Sequence, residues 1–127
     1  MLSFVAAAVA AEELDRVDVI AFAEHEDGTG KCFMVQRSRL PASLRDIELG
    51  RDTYCLVLDD VLTFYGGVDK WTLDGSTLSV HLDKKAAGTL EIKGNRRIEI
   101  ELPHDADTTR LRERLLRTFQ IHETVAK

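Results

Sequence analysis

Hydrophobic side chains occupy every second position in several stretches of the chain. The alternation is clearest in residues 77–82 (TLSVHL) and 97–102 (RIEIEL). Because successive side chains of a β-strand point to opposite faces, each stretch predicts a strand with one face on a core and the other facing water or a partner. The run 53–58 (TYCLVL) is the most apolar and predicts an interior strand. We predict further strands at 4–11, 18–23, 31–37, 61–65 and 68–73.

Turn-forming residues separate these predicted strands. The segment HEDGTG (residues 25–30) predicts a hairpin, and Gly66-Gly67 predicts a bend between two strands. Residues 38–52 break the alternation and form a long connection, and long connections in small domains are often functional.

The periodicity changes after Pro103. Leu111, Leu115 and Phe119 recur every four residues, which predicts an amphipathic helix of about four turns that packs on the sheet. Its candidate N-caps are Asp105, Asp107 and Thr108. We therefore predict an α+β fold, a mainly antiparallel β-sheet of about six to eight strands with a C-terminal helix on it, as one domain over residues 1–127.

Composition and charge limit the classes of partner. The 127 residues are 44% hydrophobic and 31% charged, and the net charge of −5 repels phosphate backbones, so we expect no nucleic-acid ligand. The apolar N-terminal run lacks a basic flank and is too short to span a bilayer, so we expect a cytoplasmic protein that does not bind membranes. Cys32 and Cys55 lie in apolar strands, where free thiols are usual, although a pair facing each other across a sheet stays open.

No motif in the sequence indicates catalysis, a metal or a cofactor. Gly66-Gly67 lacks the flanking pattern of a phosphate-binding loop, the four histidines are scattered, and neither cysteine has an activating neighbour. Asp59 and Asp60 are adjacent at a strand end, where successive side chains point to opposite faces, so their carboxylates would not work as an acid–base pair. We expect them to form a turn instead. The arginines of the last predicted helix are expected to form a solvated face: Arg110, Arg112, Arg114 and Arg117.

The order of several short motifs resembles the immunity protein family ten of bacterial polymorphic toxin systems. These are a strand end with Met34, Gln36 and Arg37, an acidic loop with Asp46 and Glu48, an apolar strand ending in Asp59 or Asp60, and a step of Tyr65, Gly66 and Gly67. The resemblance implies a protein without catalysis of its own that binds and neutralises a cognate toxin domain. The net negative charge would suit a basic toxin surface.

One segment, LTFYGGVDKW (residues 62–71), supplies most of the predicted partner-binding residues. Tyr65 and Trp71 are either anchors of a partner site or the rim of the core, and their exposure decides between these roles. The remaining candidates are Asp59, Asp60 and Asp69 as an acidic rim, with Gly66 and Gly67 at the bend. An alternative function is a small-ligand-binding or regulatory module whose 38–52 loop encloses a pocket. Homodimer formation by sheet-edge pairing also stays open.

Overall fold

The chain forms two β-sheets and three helices in a computed structural model that describes residues 1–124. Nine strands lie within these residues: β1 (Leu2–Val5), β2 (Ala8–Leu14), β3 (Val17–Ala23), β4 (Cys32–Ser38), β5 (Cys55–Leu58), β6 (Leu62–Tyr65), β7 (Val68–Asp74), β8 (Thr77–Leu82) and β9 (Arg97–Glu101). One sheet is a five-stranded antiparallel meander of β2-β3-β4-β5-β6, and the other has the order β1-β9-β8-β7. All neighbouring strands are antiparallel except β1 and β9.

The chain passes between the sheets at two bends. At the first, the Ala6 N–H donates to the Glu101 carbonyl in one sheet and the Ala7 N–H donates to the Ala23 carbonyl in the other. The prediction of one strand over residues 4–11 was therefore wrong, because tertiary hydrogen bonds divide this run into two strands. The second bend is Gly66-Gly67, which lies between β6 of one sheet and β7 of the other.

One continuous hydrophobic core takes side chains from both sheets. The core-facing positions alternate along each strand, as in Ile20 and Phe22 of β3 and Leu78, Val80 and Leu82 of β8. Burial of each large apolar side chain contributes about 1.5–3 kcal/mol before conformational entropy is subtracted. This core fixes which face of each strand points outward.

Three helices complete the described chain: α1 (Leu44–Glu48), α2 (Lys84–Thr89) and α3 (Thr108–Phe119). Asp107 is the N-cap of α3, where its carboxylate accepts a hydrogen bond from the Arg110 N–H at 3.0 Å. Leu111, Leu115 and Phe119 are buried in the core, as the four-residue spacing predicted. The predicted α+β class, with mainly antiparallel sheet and a packed C-terminal helix, is confirmed, and the strands are divided between two sheets.

Candidate functional site

The outward faces of the two sheets differ in chemistry. On β7, β8 and β9 every outward position is polar, and cross-strand pairs such as Lys70 opposite His81 and Ser79 opposite Glu99 cover the sheet with hydrogen-bonding groups. This is a face that water solvates well. We call it the polar outer face: Lys70, Thr72, Asp74, Thr77, Ser79, His81, Arg97, Glu99 and Glu101.

The five-stranded sheet presents mainly apolar side chains outward. Ala21, Met34 and Val57 lie side by side on β3, β4 and β5, and all three are half-buried. Polar Gln36 and Ser38 lie at one end of β4. We call this surface the apolar outer face: Val17, Val19, Ala21, Ala23, Met34, Cys55 and Val57.

Helix α3 approaches the five-stranded sheet from its core-facing side. The Arg117 guanidinium lies 3.2 Å from the Asp18 carboxylate, and the Arg37 Nε–H donates to the Thr118 carbonyl at 2.7 Å. Asp18 and Arg37 are opposite one another in register and share the face of Ile20 and Phe22, which points into the core. Within residues 1–124, α3 therefore leaves the apolar outer face open.

One end of the five-stranded sheet carries a concentration of negative charge. The turns after β3 and β5 meet there, where the Asp59 carboxylate accepts a hydrogen bond from the Cys32 N–H at 3.0 Å and lies 3.4 Å from the Lys31 ammonium. Five carboxylates and this one lysine occupy the two turns. We call this region the acidic end: Glu24, Glu26, Asp27, Asp59 and Asp60.

The opposite end of the same sheet carries exposed apolar side chains. The connection from β4 to β5 contains α1, whose capping box joins Ser43 and Asp46. All four large aliphatic residues of this connection are exposed: Leu40 at 52%, Leu44 at 80%, Ile47 at 52% and Leu49 at 52%. A cluster of this kind is typical of an interaction site. We call it the α1 end.

The structure separates the two aromatic candidates. Tyr65 ends β6 with 41% of its surface exposed, opposite Cys55 and beside the apolar outer face. Trp71 is fully buried against Phe119, and its indole N–H donates to the Ile121 carbonyl at 2.8 Å. Trp71 therefore belongs to the core and presents no surface to a partner, which corrects its assignment as a contact residue.

The Gly66-Gly67 bend is required by the packing of the chain itself. Both residues have positive φ, +75° and +88°. A Cβ on Gly67 would lie 2.5 Å from the Ala86 Cβ of α2 and 2.9 Å from the Phe64 ring. Helix α2 therefore packs closely against Gly67, which leaves no room for a side chain at this position.

The three aspartate candidates lie in two places. Asp59 and Asp60 form the turn after β5, both with positive φ, about four residues along the strands from Tyr65. This spacing corresponds to about 13 Å. Asp69 is exposed at an irregularity of β7 in the other sheet. The predicted site residues therefore do not form one cluster.

The arginines of α3 are exposed except for the half-buried Arg114, as expected for a solvated face, and each of them also contacts the rest of the chain. Arg114 and Arg117 lie 2.9 and 3.0 Å from the Glu13 carboxylate, and Arg110 donates to the Ala11 carbonyl. Arg112 donates to the Leu73 carbonyl at 2.8 Å. Spacing along the helix places Arg110, Arg114 and Arg117 on one side of α3, but only the tertiary structure supplies the carboxylates and carbonyls that the four arginines contact.

The ionisable side chains of the described region show no activated nucleophile or metal cluster. Burial raises the pKa of the Cys32 and Cys55 thiols, which disfavours the reactive thiolate. Burial also lowers the pKa of His81, and Lys70 and Arg97 lower it further. Among residues 1–124 no three His, Cys, Asp or Glu side chains converge as metal ligands, and no helix is long and apolar enough to cross a membrane.

Comparison with known families gives a match over most of the chain. The model of the family described as Immunity protein 10 matches residues 5–109. The chain belongs to the immunity protein 10 family. The matched region contains the last residue of β1 and all of β2 to β9, so it includes the polar outer face, the apolar outer face and both ends of the five-stranded sheet. A search of curated proteins gave no match.

The residues that sequence reasoning missed are the outward side chains of the five-stranded sheet. A signal for them was present, because β3 (VDVIAFA) and β5 (CLVL) are apolar at both odd and even positions. Such a run predicts a strand covered on both faces. In the described chain only one of those faces is covered.

Proposed function

We propose that this protein is a bacterial immunity protein that binds a cognate toxin domain in the cytoplasm and neutralises it without catalysis of its own. The observation that carries the proposal is membership of the immunity protein 10 family over residues 5–109. The large apolar outer face supports it, because contiguous apolar surface on a soluble domain commonly marks a protein-binding site.

Neutralisation by binding requires no reactive group on the inhibitor. It requires a surface complementary to the toxin and a rigid scaffold that holds it. The scaffold here is a core shared by two sheets, with α3 held on it by Arg114 and Arg117.

The test uses the toxin domain encoded directly upstream of this protein. Bacteria producing that domain alone should stop growing, whereas co-production of this protein should restore growth. The purified proteins should form a 1:1 complex by calorimetry. A matched control replaces this protein with an immunity protein of another family. If the upstream domain neither binds this protein nor loses toxicity beside it, the proposal is wrong.

A small-ligand-binding module is the second candidate. It is favoured by a cleft of about 360 Å³ beside the 38–52 connection, lined in part by Arg37, Ser43, Asp46 and Arg51. However, Leu44 at 80% exposure points away from any enclosed pocket. A metabolite that raises the melting temperature in a thermal-shift screen would favour this second function, because ligand binding to the native state adds stability by mass action.

A further inference from the structure

We infer that the apolar outer face, together with the acidic end, is the surface that binds the toxin domain, and that the toxin presents an apolar patch bordered by lysines or arginines. This inference rests on the proposed function and names the surface that performs it. The observation behind it is the contrast between two outward sheet faces of the same small protein, one polar on all of β7, β8 and β9 and one mainly apolar.

The centre of this surface is a row of side chains that crosses the sheet. Ala10, Ala21, Met34 and Val57 are aligned by register from β2 to β5, followed by Thr63 on β6. Five strands at about 4.8 Å spacing make a surface about 19 Å wide. Because β2, β3 and β4 have seven residues each and β5 and β6 have four, the face covers roughly 350 Å², a little under half of the ~800 Å² that each partner buries in a standard-size complex.

The two ends of the sheet extend this centre toward the size of a complete interface. Exposed Leu40, Leu44, Ile47 and Leu49 adjoin one end of the sheet, and Tyr65 lies at the same end. Carboxylates occupy the other end. An apolar centre with a polar, charged border is the usual arrangement of a protein interface.

Charge selects a basic partner over a second copy of this chain. The acidic end has five carboxylates against Lys31, which already lies 3.4 Å from Asp59. The turn after β2 and the 39–52 connection at the other end contain four arginines and four acidic residues, so they offer no excess positive charge to a second copy. With a net charge of −5 on each copy, self-association through this face would bring like charges together. A toxin surface with lysine or arginine at its border would instead be attracted.

Paired substitutions test the apolar centre. Val57→Lys and Met34→Lys should each weaken toxin affinity at least 100-fold, because the new ammonium group would be desolvated in the interface and would face a basic partner. Ser79→Lys is the matched control, since Ser79 is also an outward residue on an interior strand but lies on the polar outer face. It should change affinity less than threefold. Circular dichroism and thermal melting verify that each variant is folded.

Charge reversal tests the acidic end. Asp60→Lys should lower the association rate constant at least fivefold at low salt, and wild-type association should slow as salt increases. Asp74→Lys, an exposed aspartate at the end of β7, is the control and should leave the rate within twofold. A rate that Asp60→Lys leaves unchanged contradicts the basic border of the partner.

The native thiol of Cys55 gives a measurement that needs no substitution. Cys55 belongs to the apolar outer face and is half-buried, so bound toxin should slow its alkylation by iodoacetamide at least tenfold, as measured by mass spectrometry. An unchanged alkylation rate in the complex means that the face stays open, and the inference is then wrong. The same conclusion follows if Ser79→Lys abolishes binding while Val57→Lys does not.

The outcomes separate this inference from the proposed function. If the wild-type protein does not bind the toxin domain, both the proposed function and this inference are wrong. If the wild-type protein binds tightly and Val57→Lys and Met34→Lys leave the affinity unchanged, only the inference about the surface is wrong. A wild-type dimer that Val57→Lys converts to a monomer, with toxin affinity unchanged, assigns the face to self-association and overturns the inference.

Discussion

The Tyr54 hydroxyl accepts a hydrogen bond from the Val68 N–H at 2.9 Å and thereby joins the two sheets. Tyr54 directly precedes β5 of the five-stranded sheet, whereas Val68 begins β7 of the other. The Tyr54 ring is also buried edge-on against Phe119 of α3, with the Arg37 guanidinium 5.8 Å from its centre. This side chain therefore contacts both sheets and the C-terminal helix.

Removal of the Tyr54 hydroxyl is predicted to destabilise the fold. Tyr54→Phe leaves the buried Val68 N–H without its acceptor, and an unsatisfied buried donor costs about 1–3 kcal/mol. Urea denaturation should show this decrease in the free energy of unfolding. The control is Tyr65→Phe, at an exposed position, for which a change within about 0.5 kcal/mol is expected. Equal effects of the two substitutions would contradict the role of Tyr54.

The two glycines of the bend are predicted to respond differently to alanine. Gly66→Ala introduces a side chain at positive φ where the nearest atom, a Thr53 methyl carbon, is 3.5 Å away, so backbone strain of about 1–2 kcal/mol is the main cost. Gly67→Ala adds overlap with Ala86 and Phe64, and overpacking adds about 1–3 kcal/mol. Denaturation of both variants should therefore give a smaller free energy of unfolding for Gly67→Ala than for Gly66→Ala. The reverse order would mean that α2 does not pack against the bend.

Substitution of Trp71 is predicted to lower the stability of the fold, whereas substitution of Tyr65 is predicted to weaken toxin binding. Trp71→Ala should reduce the free energy of unfolding by about 3–5 kcal/mol because it empties a core position. The milder Trp71→Phe should stay folded and change toxin affinity less than threefold. Tyr65→Ala should weaken toxin binding at least tenfold with little loss of stability, since Tyr65 lies beside the apolar outer face. Calorimetric titration of folded Trp71→Phe and Tyr65→Ala tests this, and stronger loss of affinity in the tryptophan variant would contradict it.

Glu13 is predicted to stabilise the fold in a pH-dependent way. A hydrogen bond from Arg114, together with the charges of Arg39 and Arg117, lowers the pKa of Glu13 from its ordinary value of 4.5. Its contribution to stability is therefore complete above about pH 4.5 and is lost as the pH falls through the lowered pKa. Glu13→Gln should be less stable than wild type at pH 7, and the difference should shrink below pH 4.5.

The control for this experiment is one residue away. Glu12→Gln removes a carboxylate from the opposite face of β2, where Glu12 is opposite Val19. Urea midpoints measured from pH 3 to 7 should show a smaller change for Glu12→Gln than for Glu13→Gln at neutral pH. A Glu13→Gln curve parallel to wild type across this range would mean that the ion pairs on α3 add no stability.

The sequence predicted best those elements whose hydrophobic pattern and capping residues lie within the element itself. Helix α3 has a four-residue hydrophobic period and an aspartate N-cap, and β8 and β9 alternate cleanly, so their side-chain pattern alone defines them. Helix α2 was missed because its six residues, KKAAGT, are too short to show a period. The division into two sheets was missed because Ala6 and Ala7 carry no turn signal and the bend depends on carbonyls of Glu101 and Ala23.

The candidate site was only partly predictable for a related reason. The apolar character of Val57 and Met34 is visible in the sequence, but their outward direction depends on which face of each strand the core covers. Trp71 illustrates the opposite case, because an aromatic residue beside a glycine bend is equally typical of an interface and of a core. Its hydrogen bond to Ile121, 50 residues later, was needed to decide.

The parallel pairing of β1 with β9 also has a consequence for synthesis on the ribosome. Leu2 is paired with Ile98, so the first strand has no partner until almost the whole chain has been translated. The meander from β2 to β6 joins neighbouring strands in sequence and can assemble during translation. The nascent chain must therefore keep its N-terminal apolar strand from aggregating while the rest of the protein emerges.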